Sequence, residues 1–271
     1  MTLGVVVVLY CPTEENQQGI SRYLPLFRKA VLVDNSPSPT DHSRFPGAEY
    51  VFMGGNRGIG AALNRGAHLL LEQGVDGFVT MDQDSVLSEE VLKAYKKVPD
   101  GLGADIRPGC LAPQYLTPRH EAHPEPGTRQ LLWTMQSGVL FFRKAFQTAG
   151  DFREDYFIDG VDYEYCLRLK KFGYAVLQCN EAVLVHEPAT TCELKLGGKV
   201  LLRYGIASPE RYYYQIRNMI AVALEYRSLR AFLVAVVKFG KIVVLFPDKK
   251  KYLARAAQGI RDGFRGRLGS I

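Results

Sequence analysis

Strand-like and helical runs alternate along the first third of the chain, and each strand-like run stops on a short polar phrase. "GVVVVLY" stops at Cys11 and Pro12, "AVLVDNS" at Asn35 and Ser36, and "GFVTMDQDS" at Asp82 to Ser85. "YVFMGG" lies between them, with helical stretches over 17–27 and 59–73. Repeated β, α, β units with brief Gly or Asn punctuation predict a mostly parallel sheet flanked by helices. Ligands of such sheets bind at the carboxyl ends of the strands. "LYCP", "DNS" and "DQDS" all fall there.

The 271 residues are 47% hydrophobic, enough for a sizeable core. Five scattered cysteines without CxxC spacing indicate neither a disulfide framework nor a zinc site. The opening apolar run lacks a basic leader and is too short to span a bilayer, so it reads as a first strand of a cytosolic protein. Residues 113–130, rich in Pro and His, read as a long loop in which His120 and His123 have no partner by spacing. Trp133 reads as core or as a stacking wall.

Asp82 and Asp84 repel each other unless something positive sits between them. Either they cap a turn, or they hold a cation. Mg²⁺ or Mn²⁺ is typically held by one or two carboxylates plus substrate phosphates. "GGNRGIGAALNRG" is an imperfect glycine loop, in which Gly58 and Gly60 either approach a phosphate or merely allow tight entry to a helix. Asn56 and Asn64 are its candidate amide contacts. "FIDGVDYEYC" places Asp159, Asp162 and Glu164 at the start of a helix over 162–172. The helix dipole alone rewards such acids, while one carboxylate among several is also a candidate general base. His186, after an apolar strand, is either structural or a ligand. In "SPERYYYQIRN", Ser208 and Pro209 start a helix with Arg211, Gln215 and Asn218 along one face.

The net charge of +6 is unevenly distributed: residues 227–271 hold eleven Lys/Arg against two Asp, leaving a charge of −3 on 1–226. On a helical wheel over 227–246, Arg227, Arg230, Lys238 and Lys241 share one stripe, with nearly everything else apolar. Such a helix suits the surface of an anionic membrane, with a core helix or dimer seam as the alternative. No recognised binding module or aromatic platform accompanies the charge, so nucleic acid is not the expected partner. The expected division is a domain over 1–226 and a basic helical extension over 227–271.

In order along the chain, "VVLY", "LVDNS", "NRGIGAALNRG", "MDQDS", "SGVLFFR", "FIDGVDYEYCLRLKKFGY", "VLVHEP", "RYYYQIRN" and "GIRDGFRGRLG" resemble the inverting family 2 glycosyltransferases, and among them bacterial rhamnosyltransferases. The resemblance implies a GT-A fold: a Rossmann-like, mostly parallel mixed sheet flanked by helices, here with a C-terminal helical appendage. It implies a nucleotide-diphosphate sugar donor with Tyr10 and Asp34 against the base, and Asn56 and Asn64 near ribose and phosphates. Asp82 and Asp84 then bind Mg²⁺ or Mn²⁺, with His186 approaching the metal or the diphosphate. Asp162 matches the family's general base; Val161 stands where many members have Glu, so Asp159 or Glu164 could share or replace the role. Arg211, Tyr213, Tyr214, Arg217 and Asn218 fall in a segment assigned to diphosphate or acceptor contact. The implied donor is dTDP-L-rhamnose, with UDP-linked galactofuranose, glucose or N-acetylhexosamine as alternatives, or a non-catalytic sugar-nucleotide-binding scaffold. The implied acceptor is a saccharide or lipid-linked saccharide at the inner face of the membrane.

Overall fold

The first strand, β1 (Leu3–Leu9), is buried at every position, and its Val run suits a strand covered on both faces. The computed structural model describes residues 1–186, 190–246 and 248–271, except for the side chain of Leu196. Glu187 and Pro188 of "VLVHEP", and Pro247, therefore lie outside the described residues. Two compact units are present: Met1–Phe152 with Tyr165–Glu187, and Arg153–Glu164 with Pro188–Ile271. The observed division thus groups residues 153–164 and everything after 187 with the tail, rather than cutting the chain at 226.

Unit 1 contains β1, β2 (Lys29–Asp34), β3 (Glu49–Phe52), β4 (Gly77–Asp82), β5 (Pro108–Leu116), β6 (Thr128–Gln130), β7 (Val139–Phe142) and β8 (Ala175–Val185). They form one sheet in the order β3-β2-β1-β4-β7-β5-β8-β6. The β1–β2, β2–β3, β1–β4 and β5–β8 pairs are parallel, while β7 pairs antiparallel with both β4 and β5. On either side of β1, Leu9 is in register with Asp34 and Val8 with Asp82. Two acids thereby reach the same edge of the sheet.

Helix α1 (Glu14–Tyr23) starts three residues before the expected boundary because Thr13 and Asn16 form a reciprocal cap. It ends in a 3₁₀ turn at Leu24–Leu26. Helix α2 (Ile59–Glu72) follows Gly58, whose φ of 87° favours glycine. α3 (Glu89–Gly101), α4 (Arg143–Ala149) and α5 (Val161–Lys171) complete the helices before β8. The expected loop over 113–130 is shorter than predicted: β5 runs into its start and β6 takes its end. Trp133 is half-buried.

Unit 2 holds a hairpin of β9 (Thr190–Leu196) and β10 (Lys199–Ile206), followed by α6 (Pro209–Glu225), α7 (Leu229–Leu245) and α8 (Lys249–Phe264). Ser208 caps α6 by accepting from the Arg211 amide. α8 lies close on α6 at two glycines: a Cβ on Gly259 would stand 2.6 Å from the Tyr213 carbonyl, and one on Gly263 2.8 Å from that of Arg217. Beside them the Tyr213 hydroxyl donates to buried Asp262 at 3.1 Å. Of the basic stripe, Arg227 and Arg230 are exposed, while Lys238 and Lys241 turn inward. Lys238 donates to Gln215 at 2.8 Å and Lys241 to the Gly205 carbonyl at 3.0 Å.

Gly259→Val is expected to destabilise the protein by about 1–3 kcal/mol or more, because the clash is with backbone. Gly240→Ala, in α7 with nothing within 4 Å of the added Cβ, should not destabilise it. Thermal unfolding compares the two. Burial depresses Lys238 from its usual 10.5 to about 8, partly offset by Asp159. Between those values the unfolded chain binds more protons, so stability should rise with pH from about 8 to 10.5, and Lys238→Met should flatten that slope in chemical denaturation.

Candidate metal and nucleotide site

The edge of the sheet where β1, β2 and β4 end is tied together by short hydrogen bonds. The Asn35 amide donates to the Leu9 carbonyl at 2.8 Å and the Cys11 amide to Ser36 Oγ at 2.7 Å. Gln83 clamps Tyr10 from the β4 side, accepting from its amide at 2.7 Å and donating to its carbonyl at 3.1 Å. The Tyr10 ring is left exposed. Asp34 is fully buried and accepts from the amides of Ser36 and Thr40 and from the Tyr50 hydroxyl, at 2.7 to 2.8 Å. Burial opposes its charge, but those donors outweigh it and hold the carboxyl below the usual range.

Asn35 also organises the glycine loop, donating to the Gly58 carbonyl at 2.9 Å and accepting from the Arg57 amide at 3.3 Å. Asn56 accepts from the Gly58 amide at 3.0 Å. Asn64 is placed differently from the expectation: buried, it exchanges two hydrogen bonds with the backbone of Phe152, at 2.8 and 3.0 Å. Its amide is engaged in holding a distant chain segment rather than presented to a ligand.

Asp82, Asp84 and His186 each place one ligand atom within 4.8 Å of the others. Asp84 is exposed, Asp82 half-buried and His186 buried. Two hard oxygens and one imidazole nitrogen suit a divalent cation, and a set of three leaves positions for phosphate oxygens. Burial depresses the pKa of His186 and the Asp84 charge opposes this, favouring the neutral imidazole that metals bind. Ser85 Oγ lies 2.9 Å from His186 Nδ1 and accepts from Ser137 at 2.9 Å. Ser85 Oγ can in turn donate to Asp84 at 3.5 Å, and His186 Nδ1 lies 4.0 Å from the same carboxylate, so Ser85 orients the ring beside the acids. Gln136 donates to Asp82, and the buried Tyr23 hydroxyl has no hydrogen-bond partner among the described residues. Burial, then the charges of Asp82 and Asp84, raise the Tyr23 pKa well above normal.

Ser85, Ser137, Gln136, Gln83, Asn35 and Tyr23 were not among the expected site residues. Ser85 and Gln83 stand in the quoted "DQDS", where their adjacency to the acids was the available signal. Gln136 and Ser137 come from a stretch more than fifty residues away, brought in when β7 pairs with β4.

The acids of "FIDGVDYEYC" belong to unit 2. Asp159, at φ 63°, is a non-glycine residue in the left-handed region. Arg211 grips its carboxylate with two hydrogen bonds, at 2.5 and 2.8 Å, and Gln215 donates to it at 3.4 Å. Glu164 is fully buried and accepts from the Tyr226 hydroxyl at 2.5 Å. Asp162 is half-exposed in the first turn of α5. Arg217, expected at the diphosphate, is 1% exposed and donates to the Gly269 and Tyr156 carbonyls. Asn218 holds the loop from below, donating to the carbonyls of Tyr156, Ile158 and Asp159. Tyr214 stacks on Phe157 with its hydroxyl on the Ile271 amide. These three side chains shape the Asp159 loop and the C-terminus.

Manganese titration of the full chain, followed by electron paramagnetic resonance, checks the cluster. Asp84→Asn is expected to weaken binding at least about tenfold and Ser85→Ala, through His186, about 10- to 100-fold.

No family profile matches the chain. It is 26% identical over 292 residues to the dTDP-rhamnosyl transferase RfbF of Shigella flexneri, across 97% of this chain and 96% of that protein. Among solved structures it is similar to GalNAc-T7 with UDP, GalNAc and Mn²⁺, at a TM-score of 0.58 and 12% identity. That match covers 98% of this chain and 56% of the other, so the chain spans little more than half of GalNAc-T7. It is also similar to S. aureus TarS in complex with UDP-GlcNAc, at a TM-score of 0.55 and 14% identity, covering 99% and 84% of the two chains. The fold is that of the GT-A glycosyltransferases, and together with the full-length similarity it supports a glycosyltransferase.

Proposed function

We propose that the chain is an inverting, metal-dependent glycosyltransferase that takes L-rhamnose from dTDP-L-rhamnose and adds it to a saccharide or lipid-linked saccharide during assembly of a bacterial cell-surface polysaccharide. The observation that carries this reading is the Asp82, Asp84 and His186 cluster at the end of β4, on a sheet whose neighbouring strand ends are already cross-linked by hydrogen bonds. The full-length similarity to a dTDP-rhamnosyl transferase supports the choice of sugar. UDP-sugars are the second reading, supported by the UDP and UDP-GlcNAc bound in the two fold neighbours.

Asp82, Asp84 and His186 would hold Mg²⁺ or Mn²⁺, which supplies positive charge for the departing nucleoside diphosphate. The exposed Tyr10 ring would contact the nucleotide base, while Asp34, fully buried and taken up by Ser36, Thr40 and Tyr50, would hold the adjoining strand end in shape, and Asn56, in the glycine loop, would serve the ribose and phosphates. Asp162 is the proposed general base. Its match to the family's base position supports that choice, while Asp159 is ion-paired with Arg211 and Glu164 is fully buried and bonded by Tyr226. A proton taken by Asp162 from that hydroxyl frees the oxygen to attack C1 opposite the leaving group, which inverts the anomeric centre. An enzyme with a lipid-linked acceptor works at the inner face of the cell membrane, as a peripheral protein.

Asp162→Asn is expected to lower turnover by about 10²- to 10⁴-fold with donor binding retained. Undiminished transfer by that variant removes the base assignment. A panel of dTDP- and UDP-sugars, with mass spectrometry of the product, separates the two donor readings.

A further inference from the structure

Helix α7 is amphipathic in the opposite sense to the usual surface helix. On a wheel of about 100° per residue, Ala231, Ala235, Lys238 and Ile242 fall on the side packed against unit 2. Lys238 is drawn in among Gln215, Asp159 and Arg211, and its ammonium stands 6.0 Å from the Tyr212 ring centroid. Leu229, Phe232, Leu233, Val236, Val237, Val243 and Val244 occupy the opposite arc and are exposed by 41 to 72%. Four turns of outer surface therefore carry no charge. The hairpin, tied to α7 through Tyr204 on the Leu245 carbonyl and Lys241 on that of Gly205, adds exposed Val200, Leu201 and Leu202. Exposed apolar side chains gathered along one helix face mark a contact site.

Its rim is cationic. Arg227 and Arg230 are exposed at the start of α7, Lys249, Lys250 and Lys251 just past its end, and Lys195, Lys199 and Arg203 on the hairpin. The acids nearby are already matched: Glu193 pairs with Lys195 and Arg203, Asp248 with Lys251, and Glu210 with Arg255. A second copy docked on the same face would bring two such rims together, and like charges oppose that contact. Anionic headgroups meet the rim while acyl chains cover the apolar arc. No described helix is long and apolar enough to cross a membrane, so the mode is in-plane.

We propose that the outer face of α7, with the tip of the β9–β10 hairpin, lies in the interface of an anionic lipid bilayer. This deepens the membrane-surface part of the functional reading and rests on it: the apolar side enters the lipid, and Lys238 and Lys241 bond within the protein.

The test is flotation of the full chain with phosphatidylcholine vesicles, with and without phosphatidylglycerol. Binding is expected with phosphatidylglycerol and reduced by added salt. Val237→Glu with Val244→Glu, both at exposed positions, should cut it at least about tenfold, while Lys238→Met leaves it unchanged. Equal flotation of the double-glutamate variant overturns the proposal. So does light scattering that finds a dimer abolished by the same pair. Circular dichroism melts confirm that the variants fold. Manganese affinity and donor hydrolysis, read on the same samples, should be unaltered: their loss alone would count against the transferase reading, and loss of flotation by the unaltered protein alone against this one.

Discussion

Two carboxylates at the end of a buried strand set the terms for everything around them. Asp82 and Asp84 cannot share so small a space as bare charges without cost, and the surrounding chain reduces that cost only in part. Gln136 donates to Asp82, and Ser85 connects Asp84 to His186 and Ser137. His186 beside them is pushed toward its neutral form by burial. A site that concentrates negative charge, keeps its imidazole neutral and holds its polar partners in register suits an incoming cation.

The sheet makes this arrangement rigid. Because β1 lies between β2 and β4, Asp34 and Asp82 arrive at the same edge one register step apart. Gln83 and Ser36 then fasten the β1 exit to both neighbours. Unit 2 follows a different logic, in which charged groups are consumed internally. Arg217 and Asn218 hold the backbone from Tyr156 to Asp159, and Arg211 and Gln215 neutralise Asp159 in a left-handed conformation that such residues seldom adopt. Four side chains, Arg211, Gln215, Arg217 and Asn218, hold it there by hydrogen bonds. That investment keeps the turn before α5 in one shape and leaves Asp162 in the first helical turn.

Much of the sheet was legible because period and punctuation are local properties. The Val run of β1, the polar stops after β2 and β4, and Gly58 before α2 each announce themselves within a few residues. The acidic pair was legible for the same reason, as was His186 beside a strand end. Long-range satisfaction was not. Nothing near Asn64 says that its amide closes on Phe152, and nothing near Arg217 says that it will be spent on carbonyls from two other segments. The wheel drawn over 227–246 puts Lys238 and Lys241 on one side but carries no information on which side faces the fold. Small groups decide that, since Ala231 and Ala235 admit close packing on the side where Lys238 lies. The β9–β10 hairpin went unread, although two strand-like runs around Gly197 and Gly198 carried its signal.

Calorimetry of a nucleotide sugar against the protein, with and without Mn²⁺, addresses the central claim most directly. Binding that strengthens at least about tenfold with the ion, and loses that gain in Asp84→Asn, is the predicted result. Equal affinity under chelation, with Asp84→Asn indistinguishable from the unaltered protein, would contradict the assignment of the β4 carboxylates to a metal that receives the diphosphate.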